Sequence, residues 1–231
     1  VSTPNCVDKI FIIHYTKLAA RREHMERETQ KWFPDTPTEF VEVYDQEDLD
    51  PLHIIDNFDM QTFRMRFGRE MKSGEISLSL KFKEVFRKIA EEEAGEHFLV
   101  LEDDVIFKED PVVYITNLLD RCEQQNIDFD CIFMGEAAIR VGDNRDIFMK
   151  KDHPATNGLC TVLYKKEAVR RLHKHLQATR NTQPMDWELN DRFKALDFTV
   201  YWAKAITAHG SVLAVHDKSL AGLRSTLRNN Y

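Results

Sequence analysis

Phe98-Leu99-Val100-Leu101-Glu102-Asp103-Asp104-Val105-Ile106-Phe107 decides how this chain is read: an apolar strand runs into three adjacent carboxylates and then turns apolar again. Packing does not call for such a cluster, because neighbouring carboxylates repel one another and resist dehydration. They persist most naturally where a hard cation, bound through oxygen ligands, neutralises them. In a nucleotide-binding α/β domain the carboxyl end of a strand is also where ligands collect. A divalent ion held there bridges to a diphosphate and acts as a Lewis acid for a leaving group. A solvated turn after an edge strand is the alternative reading of Glu102, Asp103 and Asp104.

The flanking segments supply a sheet around this strand. Residues 9–15, Lys-Ile-Phe-Ile-Ile-His-Tyr, form a short continuous apolar run of the kind buried on both faces of a parallel sheet. Residues 16–25 are helix-like and rich in Arg and Glu, with an end expected near Pro34. Residues 39–45 alternate apolar and polar and read as a strand that ends on Asp45. Residues 46–72 are irregular and are expected to form a long loop carrying short helices. From Gly74, the spacing of Ile76, Leu80, Val85, Phe86 and Ile89 gives a helical apolar stripe. Residues 111–125, 165–176 and 185–196 read as helices, and 129–135, 157–164 and 199–203 as strands. Strands alternating with helices, without repeats or low-complexity linkers, imply one mainly parallel sheet with helices on both faces.

Length and composition agree with this. A chain of 231 residues accommodates one large α/β domain over 1–231, and 42% hydrophobic with 31% charged residues is the balance of a soluble globular protein. The net charge of −7 argues against a duplex nucleic-acid partner, which requires Lys and Arg to neutralise phosphates. Cys6, Cys122, Cys131 and Cys160 are widely spaced, lack a CxxC pair and read as free thiols. No run approaches the ~20 apolar residues of a membrane span. With no signal-peptide pattern and no Asn-x-Ser/Thr site, a cytoplasmic setting is expected.

Several segments, in order, resemble glycosyltransferase family 25, which contains lipopolysaccharide β-galactosyltransferases and collagen hydroxylysine galactosyltransferases. The first strand with Leu18-Ala19-Ala20-Arg21-Arg22-Glu23-His24-Met25 is similar to the family's opening strand and Arg-rich helix. Gly74-Glu75-Ile76 and the later Leu99-Val100-Leu101-Glu102-Asp103-Asp104-Val105 resemble its most diagnostic pair of motifs. Asp130-Cys131-Ile132-Phe133-Met134-Gly135, the strand around Gly158, and Pro184-Met185-Asp186 resemble later landmarks. The chain departs from the pattern at Ser77-Leu78, where the family usually has Gly-Cys, and at Lys81-Phe82, where it usually has Ser-His.

The resemblance implies a GT-A-type (Rossmann-like) fold, with a donor-nucleotide half at about 8–135 and an acceptor half at about 136–231. It also implies a UDP-sugar donor, inversion at the anomeric carbon, and a glycan or glycoprotein acceptor. On this basis Asp104 is expected to bind Mn²⁺ or Mg²⁺, with Glu102 and Asp103 reaching the ribose or metal-bound water. Asp45 is expected near the nucleoside, Arg21 at the diphosphate and Gly158 in the donor site. A general base is also required to take the acceptor proton, and Asp186 and Glu188, at a helix start, are its candidates. Acids also favour that end of a helix for electrostatic reasons alone. His209 and His216 bracket an apolar segment after the last strand, and His216 is the one expected to complete the metal shell. The polar groups that follow, Lys218, Ser219 and Arg224, suggest a segment that closes over phosphate. Two other readings remain. One is a metal-dependent phosphotransferase or nucleotidyltransferase, against which stands the absence of a GxxxxGK[ST] loop. The other is a glycosyltransferase-like binding domain whose donor pocket Lys81 and Phe82 have closed.

Overall fold

The alternating faces of β1 (Lys9–Ile13) and β3 (His97–Glu102) explain why their sequences are apolar throughout. Phe11, Ile13, Phe98 and Val100 point to one side of the sheet, and Ile10, Ile12, Leu99 and Leu101 to the other; both sides are buried. In the computed structural model, which describes residues 6–136, 149–150 and 158–224, these strands lie side by side and parallel.

β2 (Thr38–Val41) flanks β1, and β7 (Thr161–Lys165), β5 (Cys131–Gly135), β8 (Val200–His209) and β4 (Val105–Phe107) continue the sheet in the order β2-β1-β3-β7-β5-β8-β4. The short β6 (Met149–Lys150) pairs with β8. β2, β1, β3, β5 and β8 all run the same way, because β7 is antiparallel to both of its neighbours. The mainly parallel sheet is therefore present, with β7, β4 and β6 reversed.

One face is covered by α4 (Ser73–Glu91), α6 (Lys166–Gln177) and α7 (Met185–Ala195), whose Phe82, Phe86, Leu172 and Phe193 pack with Phe11 and Tyr164. The other is covered by α1 (Ala19–Trp32) and α5 (Pro111–Gln124), through Met25, Ile115 and Leu118. Asp110 caps α5 by accepting from Val112 and Val113 N–H ahead of Pro111, a residue suited to the first helical position. The irregular segment after β2 forms α2 (Pro51–Asn57) and α3 (Met60–Phe67), capped by Asp50 and Asp59. Phe58 and Phe63 pack there with Ile76 and Leu80 at the start of α4.

Several boundaries differ from the sequence reading. β1 stops at Ile13 and β2 at Val41, α1 starts at Ala19, β5 at Cys131 and β7 at Thr161, and β8 continues six residues past Ala203. The last difference has a local cause. The pairing of β5 with β8 shifts register between Phe133↔Trp202 and Gly135↔Thr207, leaving exposed Lys204 in the irregular stretch and breaking the alternation. Cys6, Cys122, Cys131 and Cys160 form no disulfide among the described residues. No helix among the described residues is long and apolar enough to cross a membrane.

Candidate active site

The carboxyl ends of β1, β3 and β8 meet at one edge of the sheet. There a cavity of about 280 Å³ is lined by Tyr15, Ser77 and Lys81 on the β1–α4 side and by Glu102, Asp104 and His209 on the β3–β8 side. The three sequence-adjacent acids have separate environments. Asp103 is buried and accepts from Arg21 Nη1 at 2.5 Å and Tyr15 N–H at 3.2 Å, with His14 Nδ1 2.8 Å from its Oδ2. Three partners nearly fill the lone-pair capacity of a carboxylate, so Asp103 holds the loop after β1 and the start of α1 against the strand end. Glu102 and Asp104 instead form a group with His209, in which one ligand atom from each lies within 4.8 Å of the others.

His209 arrives through strand pairing. β4 and β8 are antiparallel with Val105 opposite His209, so the ring stands beside the residue that follows Asp104. Its Nδ1 is 3.5 Å from Asp104 Oδ1 and 3.7 Å from Glu102 Oε2. The turn that follows binds the same acid: Gly210 N–H donates to Asp104 O at 2.6 Å and Ser211 N–H to Asp104 Oδ2 at 3.0 Å. A side chain at position 210 would not fit, because its Cβ would lie 2.7 Å from Asp104 O and 2.5 Å from Leu223 Cδ1. Gly210→Ala is accordingly expected to destabilise the fold by about 1–3 kcal/mol, read as a lower melting temperature.

Burial and mutual charge together set the ionisation of the group. It lifts the Glu102 carboxyl to about 7, with Asp104 and Asp103 adding repulsion and His209 opposing. Asp104 is also penalised by burial, yet His209, Arg21 and the Ser211 N–H outweigh that penalty and hold it at about 2. Burial disfavours the His209 cation, but Asp104, Cys160 and Glu102 keep it protonated well above the ordinary histidine range. The His209 cation thus offsets the adjacent carboxylates, as a metal ion bound to the same side chains would. Two carboxylates and an imidazole are a donor set that fits a divalent ion.

The remaining expected residues are distributed as follows. Arg21 lines the cavity and holds Asp103, while its Nη2 donates to Leu223 O at 3.0 Å and Arg224 O at 3.1 Å, tying the 3₁₀ turn Lys218–Leu223 to the site. Asp45 is buried behind the cavity wall in an ion pair with Lys81 at 2.6 Å. Gly158 precedes β7 and is not among the residues lining the cavity. His216 is exposed beyond α8 (Gly210–Leu213) and stands outside the Glu102–Asp104–His209 group, so the histidine beside the acids is His209.

Asp186, in the first turn of α7, is half-buried. Burial raises its pKa, partly offset by the Trp187 N–H, and its charge is felt at Glu102. Glu188, also expected as a candidate base, is fully buried; it pairs with Arg192 and accepts from Thr182 N–H at 2.9 Å. It serves to fix the loop before α7. Glu188→Gln is expected to cost about 3 kcal/mol by leaving Arg192 without its counter-charge, while turnover per folded molecule stays near wild type; denaturant unfolding with active-site titration measures both.

Glu75 of the Gly-Glu-Ile motif has a structural duty. It accepts from Lys72 N–H at 2.9 Å at the start of α4 and is gripped by both terminal nitrogens of Arg69 at 2.7 Å, while Gly74 lines the cavity and Ile76 is buried. Sequence patterns missed His14 and Ser211, which carry no motif of their own.

Residues 7–183 match the sequence profile of glycosyltransferase family 25 (LPS biosynthesis protein). The chain belongs to glycosyltransferase family 25. That membership makes the sheet a GT-A-type one and the protein a glycosyltransferase. None of the curated proteins matches it. Among solved structures, the chain is similar to a glycosyltransferase involved in the glycosylation of the major capsid of PBCV-1, at 15% identity and a TM-score of 0.48, over 92% of this chain and 98% of that one. It is also similar to the galactosyltransferase LgtC in complex with donor and acceptor sugar analogs, at 15% identity and a TM-score of 0.44, over 84% and 73% of the two chains. A third is A197 from STIV, at 10% identity and a TM-score of 0.46, over 88% and 85%.

Proposed function

We propose that this transferase is inverting and metal-dependent, moving a hexose from a UDP-sugar to a hydroxyl of a glycan or glycoprotein acceptor. The observation that carries the reading is the convergence of Glu102, Asp104 and His209 ligand atoms within 4.8 Å on the wall of the cavity. Glu102, Asp104 and His209 would hold Mn²⁺ or Mg²⁺ there, and the ion would neutralise charge building on the departing diphosphate. Asp103 acts on the same event indirectly. By holding Arg21 and His14 it keeps a guanidinium and the loop after β1 at the edge of the cavity.

Inversion by direct displacement needs a base on the face opposite the leaving group. Asp186 takes that role, since a carboxyl with a raised pKa accepts a proton more readily than an ordinary one. Lys81 and Phe82 leave the cavity open: Lys81 forms part of its wall and Phe82 is buried in the core. Incubation with each common nucleotide-sugar and Mn²⁺, without acceptor, is expected to give slow hydrolysis of a UDP-hexose. Hydrolysis of none of them would sink the reading.

A further inference from the structure

The reading above implies a nucleotide but not how its base is recognised. The cavity wall on the β1–β2 side has a definite hydrogen-bonding polarity. Lys81 Nζ donates to His14 O at 2.7 Å and to Asp45 Oδ1 at 2.6 Å, and both side chains of the ion pair are almost fully buried. Asp45 Oδ2 is occupied by Thr16, through its N–H at 3.2 Å and its hydroxyl. An ammonium has three N–H donors and no acceptor. Two are placed within the protein, which leaves one without a partner among the described residues at a side chain that lines the cavity.

One turn earlier on the same face of α4 is Ser77, buried and also lining the cavity. Its hydroxyl donates to Tyr44 O at 2.6 Å, so what it presents to a ligand is its oxygen as an acceptor. Tyr44 holds that carbonyl in place from a left-handed backbone conformation, φ +62°, which a non-glycine residue adopts only when its surroundings impose it. The wall therefore offers a donor at Lys81 beside an acceptor at Ser77.

We infer that Ser77 and Lys81 form a base-reading pair that takes the O4/N3 edge of uracil, Lys81 donating to O4 and Ser77 accepting from N3–H. Cytosine presents the reverse order at that edge, an amino donor beside an unprotonated nitrogen, and would set donor against donor and acceptor against acceptor. The inference rests on the nucleotide-donor reading and deepens it.

Titration calorimetry of the full chain with Mn²⁺ and either UDP or CDP tests it. Wild type is expected to prefer UDP by at least about 10-fold, since each mismatched buried group is left without a partner. Ser77→Ala and the double variant Lys81→Met/Asp45→Asn, which removes both halves of the ion pair together, are each expected to shrink that preference several-fold while Mn²⁺-dependent binding persists. Equal affinity of the wild type for UDP and CDP overturns the inference, as does a preference that survives unchanged in either variant. The wild-type comparison stands even where a variant fails to fold. Binding of neither nucleotide would instead remove the donor reading itself and this inference with it.

Discussion

Asp104→Asn is expected to weaken Mn²⁺-dependent UDP binding by at least about 100-fold while leaving the protein folded. Loss of an outer partner of a metal ligand costs 10- to 100-fold in affinity, so loss of charge on a ligand itself costs no less. The amide retains the shape and can still accept from Ser211 N–H, which preserves the turn after β8. It removes the negative charge that faces His209 and Arg21. Calorimetry with Mn²⁺ and UDP together reads the effect, and circular dichroism confirms the fold. Unchanged affinity would mean that Glu102 and His209 do not share a cation with Asp104.

Asp186→Asn is expected to lower turnover by ~10²–10⁴-fold, the usual contribution of a positioned base, with UDP-sugar binding preserved. An amide cannot accept the acceptor's proton, yet it keeps the contact with Trp187 N–H. The comparison with Glu188→Gln is decisive because the two acids lie in the same turn of α7. One is half-exposed with a raised pKa; the other is buried against Arg192. If Asp186→Asn retained near-wild-type kcat, the base would lie elsewhere on the acceptor side.

The elements built from local rules were legible in the sequence. Continuous apolar runs marked β1 and β3 because strands buried on both faces need no polar alternation. The helix from Pro111 was legible as α5, and the stripe from Ile76 to Ile89 announced the buried face of α4. The reversal of β7 was not legible, since strand direction leaves no trace in an apolar pentapeptide. Nor was the extension of β8, because its register shift interrupts the pattern just before the functional end.

By itself the sequence determined that three carboxylates stand at the end of a buried strand and that a Gly-Glu-Ile helix start precedes them, which together pointed to family and chemistry. Only the tertiary structure decided how those carboxylates divide their work. Asp103 is claimed by Arg21 and His14 from the first strand and helix, whereas Glu102 and Asp104 face a histidine more than one hundred positions away. The placement of His209 rather than His216 beside the acids, the burial of Glu188 and the pairing of Lys81 with Asp45 have the same origin. Hydrogen-bond ladders and packing bring these groups together across long stretches of chain, and such contacts have no period or spacing that a linear pattern records.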